Sequence, residues 1–191
     1  MVENAKDKVE NAADATKNAA ENAVDATKNA ADNAADAVAN FFKHTLPGGF
    51  EINASPDGVE NALISFIGDD AGVDKTSWFN FDALKFQTGK DQLDMEFSQK
   101  QLTNIVEILK AYPNVNIKLG GYTDSDGDDK FNLALSQRRA NNIMKALVTA
   151  GIDATRLEAE GYGEAHPACP ANDTPECKAQ NRRIAVRVTK K

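Results

Sequence analysis

The chain has 191 residues, 27% of them charged, with 29 acidic against 22 basic side chains and a formal net charge of −7. This acidic balance argues against the basic surface of a nucleic-acid-binding protein, so no nucleic-acid partner is expected. The length predicts one domain of ordinary size with an additional segment. No apolar run approaches the roughly 18 residues of a membrane-spanning helix, and the first residues lack the basic-then-apolar pattern of a signal segment.

An 11-residue repeat fills the N-terminal segment. Residues 3–43 contain neither Gly nor Pro, and the repeat units begin at Glu10, Glu21 and Asp32. Eleven residues make three helical turns and Ala is the strongest helix former, so the pattern predicts a long α-helix over residues 1–43. Its apolar stripe is mostly alanine, which leaves two alternatives: a solvated spacer, or a helix that self-associates through small-residue packing. The excess of acidic side chains disfavours a membrane surface.

Residues 44–77 have the pattern of a connector with some structure of its own. A short strand is expected at Phe50–Ile52, where two apolar side chains flank a polar one. A short helix is expected through Ala62–Ile67, capped by Ser55 or Asp57. We expect this piece to pack on the domain that follows.

From residue 78 onward, strand and helix signals alternate. A capping box of Ser98 and Gln101 is expected to begin the first helix. The predicted buried stripe of the second helix includes Leu133, whereas Leu135 falls off that stripe. The predicted elements are a strand over 78–86, a helix ending before Pro113, a strand over 115–122, a helix over 131–150, and strands over 157–161 and 184–188. Strands alternating with helices predict a compact α/β or α+β sandwich, one sheet covered on one face by helices.

A polar constellation follows the strand predicted over 115–122. Asp124 lies in the loop after this strand, and Asn132 and Arg139, seven residues apart on the next helix, share one flank beside its buried stripe. A carboxylate facing a guanidinium across a pocket suits a small zwitterion, because arginine can bind a carboxylate bidentately. The alternative is that Asp124 and Arg139 only pair with each other at the surface. Spacing alone leaves both interpretations open.

The two cysteines, Cys169 and Cys177, stand eight positions apart in a Pro-rich loop. The alternatives are a redox or metal pair and a structural disulfide. A metal site is disfavoured because the only histidines are His44 and His166 and no four-ligand spacing occurs. A disulfide that fixes the shape of the loop is therefore expected, and it fits an oxidising compartment.

Calcium binding and catalysis have little support. The acidic side chains around Gly127 do not follow EF-hand spacing, so a solvated loop that caps the next helix is favoured. No paired nucleophile and base are evident, so neither an enzyme nor a cofactor is predicted. Tyr162 is expected to be a packing or pocket-wall residue, and His166 a surface loop residue.

Taken together, the polar motifs resemble those of a known family. The run Thr123–Gly127, followed by Asn132, Arg139-Ala140, Gly161–Glu164 and Asn181–Arg183, is similar to the peptidoglycan-binding domain of the OmpA-like family, over roughly residues 78–191. The resemblance implies an α+β fold: a βαβαββ sandwich in which one mixed sheet carries helices on one face, here preceded by the long N-terminal helix.

The resemblance also implies roles for individual residues. Asp124, Asn132 and Arg139 match the family's pocket for the diaminopimelate side chain of peptidoglycan stem peptides. Either Arg182 or Arg183 would help to bind the ligand carboxylate.

By the same resemblance, the chain is a non-enzymatic periplasmic protein, associated with the outer membrane, that holds peptidoglycan non-covalently. A leader or lipid anchor would then precede the residues shown here. The family often carries a Phe-Asp pair where this chain has Phe86-Gln87, so that aspartate has no counterpart. The alternative is a stress-protective or structural protein, because the 11-residue repeat also resembles those of late-embryogenesis-abundant proteins. Its C-terminal domain would then only localise it to the wall.

Overall fold

The computed structural model describes residues 42–86 and 89–191. The helix predicted for the N-terminal repeat lies outside these residues except for its last two positions, and Gln87 lies outside them as well. Phe42 and Lys43 belong to a strand and not to the end of a helix, so this part of the prediction is wrong. The physical reason is that the Phe42 ring packs against the core, where strand pairing holds it.

A hairpin opens the described part of the chain. Strand β1 (Phe42–Thr45) pairs antiparallel with β2 (Glu51–Ala54). Gly48 and Gly49 in the turn both have positive φ, at 100° and 88°, a backbone region that glycine enters without steric cost. A helix, α1 (Val59–Gly68), follows. The short strand expected in the connector is thus confirmed, slightly later in the chain.

Helix α1 begins without its predicted cap. Its N-cap residue is Gly58, and no side chain caps it locally, so the expected roles of Ser55 and Asp57 are wrong. The Val59 amide instead donates to Asp82 Oδ1 at 3.2 Å, a residue well beyond the helix. Apolar side chains of the hairpin and α1 share one core with the later strands. The connector therefore packs on the following domain, as predicted.

The remaining elements form a mixed sheet with helices. They are β3 (Phe79–Asn80), α2 (Met95–Ala111), β4 (Asn116–Gly121), α3 (Asp129–Thr149), β5 (Leu157–Gly161), α4 (Pro175–Asn181) and β6 (Ile184–Lys190), with a 3-10 turn at Ala154–Arg156. The strand order is β3-β6-β4-β5; β4 and β5 are parallel, and β6 is antiparallel to both β3 and β4. The predicted α+β class with one mixed sheet is confirmed.

The first strand of this sheet is shorter than predicted. It spans only Phe79–Asn80, because the chain then leaves the sheet and is held by side chains of α2. The Ala83 amide donates to Gln101 Oε1 at 2.9 Å, and the Lys85 amide donates to Ser98 Oγ at 3.1 Å. These side-chain oxygens satisfy backbone amides that, in a longer β3, would donate to carbonyl groups of a neighbouring strand.

The predicted capping box of α2 is wrong. Ser98 and Gln101 lie inside the helix, which begins at Met95. The N-cap is Asp94, whose side chain accepts from the Glu96 amide at 3.2 Å. The polar side chains that mimic a cap in the sequence serve to hold the segment before the helix.

The buried stripe of α3 matches the predicted one in the second half of the helix and differs from it in the first half. Leu133 is 51% exposed, whereas Leu135 is 5% exposed. Asn132 and Arg139 also lie within the buried stripe and not beside it. Because polar residues occupy buried positions in the first half of the helix, the spacing of the apolar side chains alone gives the wrong face there.

Two glycines let α3 approach the sheet closely. A Cβ on Gly121 would clash with the Ser136 carbonyl, and one on Gly161 would clash with the backbone of Gln137. The polar stripe of α3 is thereby pressed against the ends of β4 and β5. Within residues 42–86 and 89–191, no helix combines the length and apolar character required to cross a bilayer.

Candidate functional site

The centre of the site is Asp124, in the acidic loop (residues 124–128) between β4 and α3. The preceding Thr123 amide donates to the Gly163 carbonyl at 2.8 Å, which extends the pairing of β4 and β5 to the start of the loop. The Asp124 carboxylate is mostly buried. Its Oδ2 accepts from Arg182 Nη1 at 2.6 Å, and its Oδ1 accepts from the Asp126 amide at 3.3 Å.

Asn132 ties two loops together beneath the site. Its side chain is 3% exposed, and Nδ2 lies 3.4 Å from the Asp124 carbonyl and 3.1 Å from the Asp126 carbonyl. The same nitrogen lies 3.1 Å from Glu164 Oε2, in the turn after β5. The predicted Asn132 is therefore at the site. Glu164 is a site residue to which the sequence assigned no role, although its motif had been noted.

Arg139 is a buried cation on α3, 5% exposed. Its Nε donates to the Lys90 carbonyl at 3.0 Å, and its guanidinium carbon lies 4.9 Å from the centre of the Phe86 ring. Burial, and then the positive charge of Arg182, lowers the pKa of Arg139, whereas the charge of Asp124 acts in the opposite direction. In the described parts of the chain, no carboxylate forms an ion pair with Arg139.

The structure separates the two C-terminal arginines. Arg182 reaches the site and pairs with Asp124. Arg183 turns the other way: its guanidinium carbon lies 3.8 Å above the Tyr122 ring, and its Nη2 donates to the His166 carbonyl at 2.9 Å. Burial lowers the pKa of Arg183. Asp124, Asn132, Arg139 and Arg182 are thus brought together, and Arg183 is not.

An aromatic cluster lies behind Arg183. The rings of Tyr122 and Tyr162 stack with their centres 5.2 Å apart, and Trp78 meets both edge-on. Burial raises the pKa of Tyr122 to about 12, although the charge of Arg183 acts against that rise. Tyr162 packs in this cluster, as predicted, and the exposed His166 touches its ring. Tyr122 and Tyr162 directly precede the two loops that carry Asp124 and Glu164, so their stacking links the starts of these loops.

Helix α4 contributes a further cation next to the acidic loop. The Cys169–Cys177 disulfide is present, with the two Cα atoms 5.3 Å apart, which confirms the predicted bridge. The next residue, Lys178, places Nζ 2.9 Å from Asp126 Oδ2. The site therefore combines two guanidiniums, one ammonium and several carboxylates, a mixture suited to a ligand that carries both charges. Among the residues that the structure describes, no three His, Cys, Asp or Glu side chains are grouped as metal ligands.

Comparison with known proteins gives the class of protein. The model of the OmpA family matches residues 85–182, about half of the chain, and the chain belongs to this family.

Three proteins illustrate the relationship. The chain is 45% identical over 85 residues to the probable lipoprotein YiaD of Escherichia coli K12, covering 44% of this chain and 38% of YiaD. It is 38% identical over 91 residues to outer membrane porin F of Pseudomonas fluorescens, covering 48% of this chain and 28% of the porin. The crystal structure of the peptidoglycan-associated lipoprotein from Burkholderia pseudomallei is 28% identical and covers 56% of this chain and 88% of that one, with a TM-score of 0.52.

The alignments cover only part of the curated relatives, well under half of the length of YiaD and of the porin. The three proteins share an envelope location, and they place this chain in the periplasm in association with the outer membrane.

Proposed function

We propose that the domain formed by residues 42–191 binds peptidoglycan non-covalently and so anchors an outer-membrane component to the cell wall. The part of the wall that it holds is the diaminopimelate of the stem peptides, whose free end carries an ammonium and a carboxylate on one carbon. Family membership and the peptidoglycan-associated lipoprotein among the similar structures support the first statement. The charges of the site support the second. The proposed role is binding and not catalysis.

The observation that carries the proposal is the environment of Arg139. A buried cation without a paired carboxylate is costly, because burial removes the water that would otherwise stabilise its charge. The lowered pKa of Arg139 has this same cause. A ligand carboxylate would supply the missing charge, and the planar guanidinium can bind it through two parallel hydrogen bonds.

Arg182 would take part in the same interaction. Its side chain is 45% exposed, so it is free to lean from Asp124 toward a bound carboxylate. Burial is the main cause of the lowered pKa of Arg139, and the positive charge of Arg182 adds to it; an anion between the two guanidiniums would relieve that repulsion. The rigid fork of donors on a guanidinium matches the geometry of a carboxylate.

The ammonium of the ligand would bind on the acidic side of the site. Asp124 is the central acceptor, and Glu164 lies beside it across Asn132. When Arg182 leans toward the ligand carboxylate, Asp124 is left for the ligand ammonium. Binding thus exchanges the internal Arg182–Asp124 pair for three charged contacts with the ligand: its carboxylate with Arg139 and Arg182, and its ammonium with Asp124.

This arrangement predicts discrimination between wall types. Lysine, which replaces diaminopimelate in some walls, has the side-chain ammonium but no carboxylate on the same carbon. Arg139 would then remain unpaired in a desolvated site, which costs about 2–5 kcal/mol.

The test is co-sedimentation of the full chain with purified walls of the two types, with free diaminopimelate as competitor. We expect binding to diaminopimelate walls that free diaminopimelate displaces, and much weaker binding to lysine walls. Equal binding to both walls would refute the diaminopimelate assignment. Absence of binding to either wall would refute the proposed function itself.

A further inference from the structure

Helix α4 supplies both of the cations that reach across to the acidic loop. Lys178, in its last turn, lies 2.9 Å from Asp126, and Arg182, its C-cap residue, lies 2.6 Å from Asp124. The position of α4 therefore sets where Arg182 stands relative to Arg139. Any change that frees α4 also changes the cationic side of the site.

The order of α4 depends on contacts outside the helix. It has only seven residues, and helices of this length are not stable alone in water. Its start is held by the Thr174 side chain, which accepts from the Cys177 amide at 3.1 Å, and by the bond from Cys177 to Cys169.

The other end of α4 is held by Asn181, which is 1% exposed. Its Oδ1 accepts from the Cys169 amide at 2.9 Å, and its Nδ2 donates to the Cys169 carbonyl at 2.8 Å. Cys169 is thus the point to which both ends of α4 are attached: one end through a covalent bond, the other through the backbone.

We propose that the Cys169–Cys177 disulfide positions Arg182 and Lys178 for ligand binding and makes the site redox-sensitive: the oxidised protein binds tightly, and reduction by a dithiol weakens binding. This inference rests on the proposed function. The disulfide is not required for the main core, whose buried apolar cluster lies among the sheet and α1–α3. Asn181 still holds one end of α4 after reduction, so the affinity falls but is not abolished.

The reduction is ordinary thiol–disulfide exchange. Cys169 is half-buried and Cys177 is 4% exposed, so a thiolate of the dithiol attacks the sulfur of Cys169. A mixed disulfide forms and the sulfur of Cys177 leaves as a thiolate. The Asn172 amide, which already donates to that sulfur at 3.1 Å, stabilises the negative charge. The second thiol then closes the reductant's own disulfide; two electrons and two protons have passed from the dithiol to the two cysteines.

The experiment measures the affinity of the full chain for soluble diaminopimelate-containing muropeptides before and after treatment with dithiothreitol. We expect binding to weaken by about five- to twentyfold on reduction, within the usual range of coupling between sites. Reoxidation should restore it. The double variant C169S/C177S should bind like the reduced protein and should not respond to dithiothreitol.

The midpoint potential of the disulfide distinguishes a bond coupled to ligand binding from one that only stabilises the fold: only the coupled bond has a midpoint that changes when ligand is present. Coupling is reciprocal, so a ligand that prefers the oxidised form must stabilise that form. For a two-electron couple, each tenfold preference shifts the midpoint about 30 mV more negative. Saturating muropeptide should therefore shift the midpoint of Cys169–Cys177 in this direction.

If the reduced protein unfolds, a second variant separates the position of α4 from the stability of the whole domain. Thr174→Ala removes the cap of α4 while the disulfide remains, and it should also weaken binding without unfolding the domain. Equal affinity in both redox states with an unmoved midpoint overturns the inference, and so does unchanged affinity of T174A. If the oxidised wild-type chain does not bind at all, the proposed function fails together with this inference.

Discussion

Arg138 and Arg139 are chemically identical neighbours on α3 in opposite surroundings. The side chain of Arg138 is 48% exposed and pairs with Asp91 at 2.9 Å. Exposed pairs of this kind contribute about 0–1 kcal/mol. Arg139 is buried at the site. Substituting Arg139 therefore tests the site, and substituting Arg138 serves as the matched control.

Arg139→Ala should weaken binding to diaminopimelate walls by about 2–5 kcal/mol, because the ligand carboxylate loses its desolvated partner. Arg138→Ala should change the affinity by less than about 1 kcal/mol. Titration with soluble muropeptide measures both, and circular dichroism checks that each variant is folded. Similar losses in the two variants would mean that Arg139 is not a ligand contact.

The sequence was sufficient to predict Asp124, Asn132 and Arg139 as neighbours, because the loop before α3 and one face of that helix bring them together, although this face is the buried one and not the predicted flank. It could not separate Arg182 from Arg183. The two residues form the short connection between α4 and β6, and which side chain faces the site depends on how the chain turns between those elements. Glu164 was also missed as a site residue, since its contact with Asn132 joins segments 32 residues apart.

At the scale of elements, the fit between α3 and the sheet depends on residues without side chains. A methyl group at Gly121 would meet the carbonyl of Ser136, which is backbone and cannot rotate away. Overpacking of this kind costs about 1–3 kcal/mol. Because α3 carries Asn132 and Arg139, any displacement of the helix also disturbs the site.

Gly121→Ala should therefore lower the free energy of unfolding by about 1–3 kcal/mol, measured by urea denaturation. It should also weaken wall binding, because α3 carries two of the candidate site residues. Gly68→Ala, at the open end of α1 with no atom near the added methyl group, is the matched control and should be close to neutral. If G121A were as stable as the wild type, the close approach of α3 would be incorrect.

The strand and helix order was predictable because apolar alternation survives in β4, β5 and β6. The errors in the helix caps and in the length of β3 share one physical cause, which is that polar side chains act over long sequence distances. Gln101 and Ser98 hold the segment after β3, and Asp82 caps α1. In the sequence, Ser98 and Gln101 have the spacing of a local capping box, and Asp82 lies within the segment predicted as a longer strand. Their real partners cannot be seen from local spacing.

At the scale of the whole molecule, residues 42–77 belong to the folded domain. Leu46 and Ile52 of the hairpin region, and Val59 and Leu63 of α1, are each at most 3% exposed. Burying a large aliphatic side chain contributes about 1.5–3 kcal/mol. The repeat that precedes this segment is rich in alanine, which has little apolar area to bury.

Deleting residues 1–41 should thus change the free energy of unfolding by less than about 1 kcal/mol and leave wall binding intact. Deleting residues 1–77 should lower it by more than about 5 kcal/mol, a large part of the stability of a typical domain. Thermal melts of the two truncated proteins decide this. A large loss on removing 1–41 would favour the alternative in which the repeat is a structural partner and not a spacer.

The order of strands in the sheet has a consequence for how the family's members are delimited. The stretch shared with the OmpA family, residues 85–182, begins after β3 and stops before β6. β6 lies between β3 and β4 in the sheet. A fragment cut at those limits would keep all of the candidate site residues named above but, of the strands in this sheet, only the parallel pair of β4 and β5. The shared stretch thus spans the candidate site, whereas the unit able to fold extends beyond that stretch on both sides.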